Sequence, residues 1–296
     1  MAQAHADTAH AHYYVPDSSR WPFLGSLSLF ICFIGGAATL NDSPLGSSIL
    51  GAGFLLLFVT LFAWFGDVIR ESEGGRYGQW EDVSFRMGMM WFIFSEVMFF
   101  AAFFGALFYA RVLSVPWLSG AGAEAATHEF LWPSFLADWP LLKLPTDYGF
   151  TQAKDVIPAW GVPAVNTAIL LTSGVTVTWA HWGLKVNKRG HLIAGLALTV
   201  LLGCIFVYLQ AEEYGHAYHE LGLTLNSGIY GATFFLLTGF HGFHVTMGTL
   251  MLFVILLRCI KGHFKPEHHF AFEGVAWYWH FVDVVWIGLF IFVYMI

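Results

Sequence analysis

The chain has 296 residues, 57% of them hydrophobic and only 11% charged. A soluble domain carries about 25% charged residues, so the composition excludes an ordinary water-soluble globule, and apolar runs of about 20 residues recurring along the chain predict an all-α membrane protein. The net charge of −7 does not suggest nucleic-acid binding and is a poor guide to partners, because the acidic residues concentrate in a few loops.

Residues 1–20 are polar and include His5, His10 and His12. They lack an apolar core of the kind a cleavable signal needs, so a cytoplasmic tail is expected rather than a signal peptide or a histidine metal site. Apolar runs at 21–40, 47–69, 85–112, 163–184, 190–212, 228–259 and 270–296 predict seven transmembrane helices, since irregular backbone cannot face lipid. The connector NDSPLG (41–46) is short and turn-rich, which makes the first two spans an antiparallel hairpin. The stretch 113–162 carries Pro116, Pro133, Pro140, Pro145 and Pro158 with several acidic residues, and reads as an extramembrane loop.

Seven spans put the N-terminus and three loops on one side. That side holds Arg20, Arg70, Arg76, Arg86, Lys185, Lys188, Arg189, Arg258, Lys261 and Lys265, against Arg111, Lys143 and Lys154 opposite. The positive-inside rule then places the N-terminus in the cytoplasm and Ile296 outside. Gly195, Thr199 and Gly203 fall at i, i+4, i+8, a small-residue stripe that lets another helix approach closely. Gly231, Gly239, Gly242 and Gly248 make the sixth span similarly lean. Cys32, Cys204 and Cys259 are far apart and in or beside apolar runs, so neither a disulfide nor a thiolate metal site is expected.

Ionisable residues inside spans are costly and therefore informative. Glu96, in WFIFSEVMFF (91–100), lies roughly 15 Å from the level of Arg86 at 1.5 Å per residue, near mid-membrane. A charged carboxylate there costs about 2.5–3.5 kcal/mol. With no cation within helical reach, loss of hydration favours the neutral, protonated form. A neutral interhelical donor and a proton or lipid-cleft site both remain open. His241 and His244 share a helix face at i, i+3, as do His280 and Asp283; with no third ligand at helical spacing, interhelical hydrogen bonding is the reading preferred over haem or metal binding. His181 and the pair Glu212–Glu213 lie near span ends, where water or headgroups can satisfy them. From these residues alone a transporter, a proton-conducting element and a scaffold subunit stay possible.

WFGDVIRES (64–72), FRMGMMWFIFSEVMFF (85–100), VNTAILLTSGVTVTWAH (165–181), LQAEEY (209–214), GIYGATFFLLTGFHGFHV (228–245) and HHFAFEGVAWYWHFVDVVW (268–286) closely resemble cytochrome c oxidase subunit III. The first hairpin, opened by WPFLGSL, favours the cytochrome c branch over the related quinol oxidase subunit, which usually lacks it. The 113–162 loop is longer than in mitochondrial members and points to a bacterial protein in the inner membrane.

The resemblance implies a fold of two bundles, the hairpin at 21–69 and five helices within 70–296, splayed into a V whose cleft holds phospholipid. It implies that haem and copper belong to partner subunits I and II, with no catalytic centre and no metal in this chain. Cytochrome c would be an indirect partner. By matched position Arg70 and Arg258 would meet lipid phosphate, and Glu96 would be the family's buried carboxyl facing the cleft. The implied role is support of a complex that reduces oxygen to water and pumps protons. An autonomous proton or solute transporter is the competing class.

Overall fold

The computed structural model describes residues 18–122, 125–145 and 149–296. The expected tail histidines His5, His10 and His12 lie outside the described residues. Among the described residues there is no strand, apart from one isolated bridge between Lys265 and His268. Seven helical stretches are long and apolar enough to cross a membrane: Trp21–Leu40, Gly46–Glu73, Gln79–Leu118, Val162–Lys185, Arg189–Leu221, Gly228–Lys261 and Phe270–Met295. The chain divides after Arg86 into two compact units.

The first unit contains α1 (Trp21–Leu40) and α2 (Gly46–Glu73), joined by a tight turn. Gly35 and Gly53 let the two backbones touch: a Cβ on Gly53 would meet the Cys32 backbone nitrogen at 2.7 Å, and one on Gly35 would strike Ile49 and Leu50. Such contacts matter in lipid, where close packing and polar ties replace the hydrophobic effect as the force between helices. Trp21 Nε1 donates to Asp67 Oδ2 at 2.7 Å, tying the start of α1 to the end of α2. The large apolar side chains of both helices, among them Phe30, Phe33, Phe58 and Phe62, point outward. At 28 residues α2 is about 42 Å long. It overshoots a ~30 Å hydrocarbon core, and its polar end Arg70–Glu73 continues the helix beyond the expected limit of residue 69.

The division falls within α3 (Gln79–Tyr109), whose larger part, from Met87 on, belongs to the second unit and runs through a π-helical turn, Ala110–Ser114, into the short α4 (Val115–Leu118). The 113–162 region adds a short helix, α5 (Ala125–Leu131). It has its own small cluster of Val115, Phe135 and Leu141. Its end is fastened by Thr151 N donating to Asn226 O at 3.0 Å and Lys154 N to Leu221 O at 2.8 Å. Next come α6 (Val162–Lys185), α7 (Arg189–His216), α8 (Gly228–Lys261) and α9 (Phe270–Leu289); π-helical turns extend α7 to Leu221 and α9 to Met295.

Each of α6 to α9 packs on the next, and α9 returns to α6, closing a four-helix ring. The core is made by Trp279, Trp286, Phe206, Phe234, Phe272 and Leu196. Trp279 Nε1 donates to Ser173 Oγ and Trp286 Nε1 to Thr167 Oγ1, each at 2.9 Å. Both bonds join α9 to α6 and satisfy indole N–H groups that lipid could not. The stripe on α7 serves three neighbours: Gly195 meets α6, while Gly203 lies beside Trp279 of α9 and Thr249 of α8. On α8, Gly248 is crowded by Trp279 of α9 and Gly231 by the preceding turn at Thr224 and Ser227, whereas Gly242 has nothing within 4 Å. At its end α8 closes through Gly262 at φ +83°, with His263 N bonded back to Arg258 O at 3.1 Å. This left-handed cap suits glycine, which has no Cβ to clash.

Candidate functional site

Glu96 sits on the part of α3 that touches α8, amid an aromatic seam. Phe99 packs edge-on against Phe240 at 5.0 Å between centroids, and Phe100 against His244 at 5.1 Å. Its carboxyl is held by α8: His244 Nε2 and Glu96 Oε2 are 3.0 Å apart. The imidazole is almost wholly buried, while the carboxyl keeps 23% of its side-chain surface exposed. His244 Nδ1 lies 2.6 Å from the Phe240 carbonyl. A carbonyl only accepts, so Nδ1 carries hydrogen, and a single further proton occupies the bond between Nε2 and Oε2. Whether that proton rests on nitrogen or oxygen, the pair has no net charge. The partner that a single-helix reading could not supply therefore comes from a helix far along the chain.

His241, one turn earlier on α8, reaches α9, with Nε2 3.2 Å from the Val282 carbonyl. It lies edge-on to Phe206 and beside Trp286. His280 and Asp283 face each other within α9, Nδ1 to Oδ2 at 3.2 Å, and His280 Nε2 is 3.3 Å from Thr178 Oγ1 on α6. This pair opens on an apolar groove bounded by Leu171, Val175, Trp179 and Trp182. Of the two acidic residues in LQAEEY, Glu213 is the buried one. It accepts from Tyr294 OH at 2.6 Å and from Gln210 Nε2 at 3.2 Å, a link between α7 and the end of the last span that spacing alone did not reveal.

The two arginines differ. Arg70 is paired with Asp67, one turn back on α2, and its side chain is 76% exposed. Arg258 is buried near the end of α8, its guanidinium 4.4 Å from the ring centroid of Phe264. Among the described residues, the group with metal-ligand geometry is His181, His269 and Glu273. Only the first of these stood out in the sequence. The signal for the other two was the i, i+4 spacing of a histidine and a glutamate at the start of the last span.

Fold and polar contacts together define a multi-pass helical membrane protein whose buried polar side chains join helix to helix. The sequence matches the family described as Cytochrome c oxidase subunit III over residues 10–124 and 131–296, and the chain belongs to that family. Curated relatives named cytochrome c oxidase subunit 3 include one from Chondrus crispus, 40% identical over 95% of this chain and 93% of its own length. Another, from Oncorhynchus clarkii, is 41% identical over 98% of both chains. A third, from Prototheca wickerhamii, is 41% identical over 95% of this chain and 96% of its own.

Proposed function

We propose that the chain acts as the non-catalytic subunit III of a cytochrome c oxidase, supporting subunits I and II in a complex that takes electrons from cytochrome c, reduces oxygen to water and pumps protons. Haem and copper reside in those partners. The support consists of holding phospholipid and apolar helix surface against the catalytic core, which keeps its metal site intact and sustains proton uptake. The observation that carries this reading is the closed bonding of the Glu96–His244 pair. Its second ring nitrogen is committed to the Phe240 carbonyl, and a backbone carbonyl does not take up a proton and hand it on. That favours a neutral, positioning role at a lipid-facing groove over a step in a proton path.

Removing the chain tests the proposal. The remaining complex is expected to keep its haem spectrum and to reduce oxygen, but to inactivate faster during turnover. A lost haem spectrum in an assembled core, or an unchanged working lifetime, counts against it.

The setting proposed is a bacterial inner membrane, on the strength of the long 113–162 loop, with a cytoplasmic N-terminus, on the strength of the Lys and Arg asymmetry between the two sets of loops. Arg70 and Arg258 then lie at the cytoplasmic rim, where each offers a guanidinium to phospholipid phosphate. Their exposures rank them. Arg70→Ala should release most of the loosened lipid, and adding Arg258→Ala should release less, because that guanidinium is already sheltered over Phe264. Mass spectrometry of lipid retained by the purified complex measures this; retention equal to the parent's in the double variant removes the headgroup role.

A further inference from the structure

We infer that His181, His269 and Glu273 form a binding site for a zinc-class divalent cation at the Lys- and Arg-rich end of the four-helix ring. His181 lies one turn before the end of α6, His269 is the residue that precedes α9, and Glu273 stands in the first turn of α9. Their donor atoms converge on one point. The two Nε2 atoms are 3.2 Å apart, His269 Nε2 is 3.2 Å from Glu273 Oε1, and His181 Nε2 is 3.4 Å from the same oxygen.

Two features point to a cation at that point. The first is distance. Ligands of a tetrahedral ion bound at about 2.0–2.1 Å lie about 3.3–3.4 Å from one another, and the three separations here, 3.2, 3.2 and 3.4 Å, lie close to that value. Such an ion would sit about 0.8 Å out of the plane of the three atoms, leaving its fourth position to water or an anion. The side chain of His181, 24% exposed, leaves that approach open. The second is hydrogen bonding. His269 Nδ1 is 3.2 Å from the Lys265 carbonyl, which makes Nδ1 the donor and leaves Nε2 of the neutral ring as a lone pair. That lone pair faces a carboxylate oxygen at 3.2 Å, an arrangement a positive centre between them relieves. Anchoring a ligand histidine through its other nitrogen to a carbonyl is also how metal sites fix ring orientation.

Ligand chemistry narrows the ion. Two imidazoles and one carboxylate suit zinc and its neighbours, whereas magnesium and calcium take oxygen ligands. The ring of His181 also packs on Phe272 at 5.3 Å, which limits its rotation away from the site. Opposing charge limits the affinity: Lys185 acts electrostatically on His181, and the positive end of α9 lies beside His269. One carboxylate offsets these only in part, so binding is reversible and weaker than in a structural zinc site. A bound ion would join the ends of α6 and α9.

The test uses the assembled oxidase, freed of loose metal with a chelator and titrated with Zn2+. The parent is compared with His181→Asn and Glu273→Gln, each checked for retention of this chain in the purified complex by gel or mass spectrometry. His181→Asn is the safer variant, since that residue is partly exposed at a helix end. The parent should take up one more Zn2+ than either variant, or bind that ion at least tenfold more tightly. X-ray absorption at the zinc edge should show two imidazole rings in the difference between parent and variant. Excess Mg2+ should not compete. Equal Zn2+ uptake and affinity in the parent and His181→Asn overturns the site and means that the three side chains share only a proton.

Discussion

Gly195→Leu is expected to prevent normal closure of the four-helix ring and to lower sharply the yield of assembled oxidase containing this chain. A Cβ at that position would already lie 2.8 Å from Ala180 Cβ and 2.9 Å from the Thr176 carbonyl oxygen. Those atoms belong to α6, and one is backbone, so they cannot turn aside as the tip of a long side chain could. The helices must separate, and separation also stretches the Thr176–Thr199 hydroxyl bond of 2.8 Å between them. Overpacking of this kind costs about 1–3 kcal/mol where side chains can adjust; with backbone in the way the upper end applies. Gly190→Leu, at a position with nothing within 4 Å, is the control. Thermal unfolding of the two complexes and their yields measure the difference; equal values would show that α6 and α7 do not depend on this contact.

Glu96→Lys should be nearly as damaging, while Glu96→Gln should be mild. Glutamine keeps an N–H donor for the lone pair of His244 Nε2, so the tie between α3 and α8 persists. Such interhelical bonds average about 0.6 kcal/mol in membranes, which bounds even a partial loss. Lysine would replace a pair of zero net charge with one bearing a positive charge, where an uncompensated cation costs about 2.5–3.5 kcal/mol. Oxygen reduction and proton ejection should fall only modestly with glutamine and severely with lysine. A hydrophobic carbodiimide, which partitions into lipid and needs a protonated carboxyl, should label Glu96 in the parent; aqueous carbodiimides should label it poorly. Proton ejection per electron in vesicles is the deciding measurement for the glutamine variant. A stoichiometry near zero would make Glu96 an obligatory proton carrier and refute the lipid-groove reading.

Much of the fold was legible because lipid leaves the backbone few choices. Each apolar run from Trp21 onward must satisfy its own N–H and C=O groups, so length and hydrophobicity alone identify seven spans. Their ends were less legible. A helix leaving the bilayer keeps its hydrogen bonds whether or not its side chains remain apolar, which is why α2 continues through the polar residues up to Glu73. The identities of the costly residues were also plain, since a carboxyl or imidazole among phenylalanines stands out in any reading.

What those residues bond to was decided only by tertiary structure. Glu96 and His244 are 148 positions apart, and His181 and His269 are 88 apart. Helical spacing relates residues a few positions along one helix and carries no information about which face of α3 turns towards α8. Gly195 likewise announced a close approach, but not that α6 would be the helix making it. The sequence by itself determined the number of spans and the polar groups that needed partners. The partners depended on helix rotation and packing, because in a bilayer the same low polarity that forces each segment to be helical leaves the choice among neighbouring faces to close steric fit and a few hydrogen bonds.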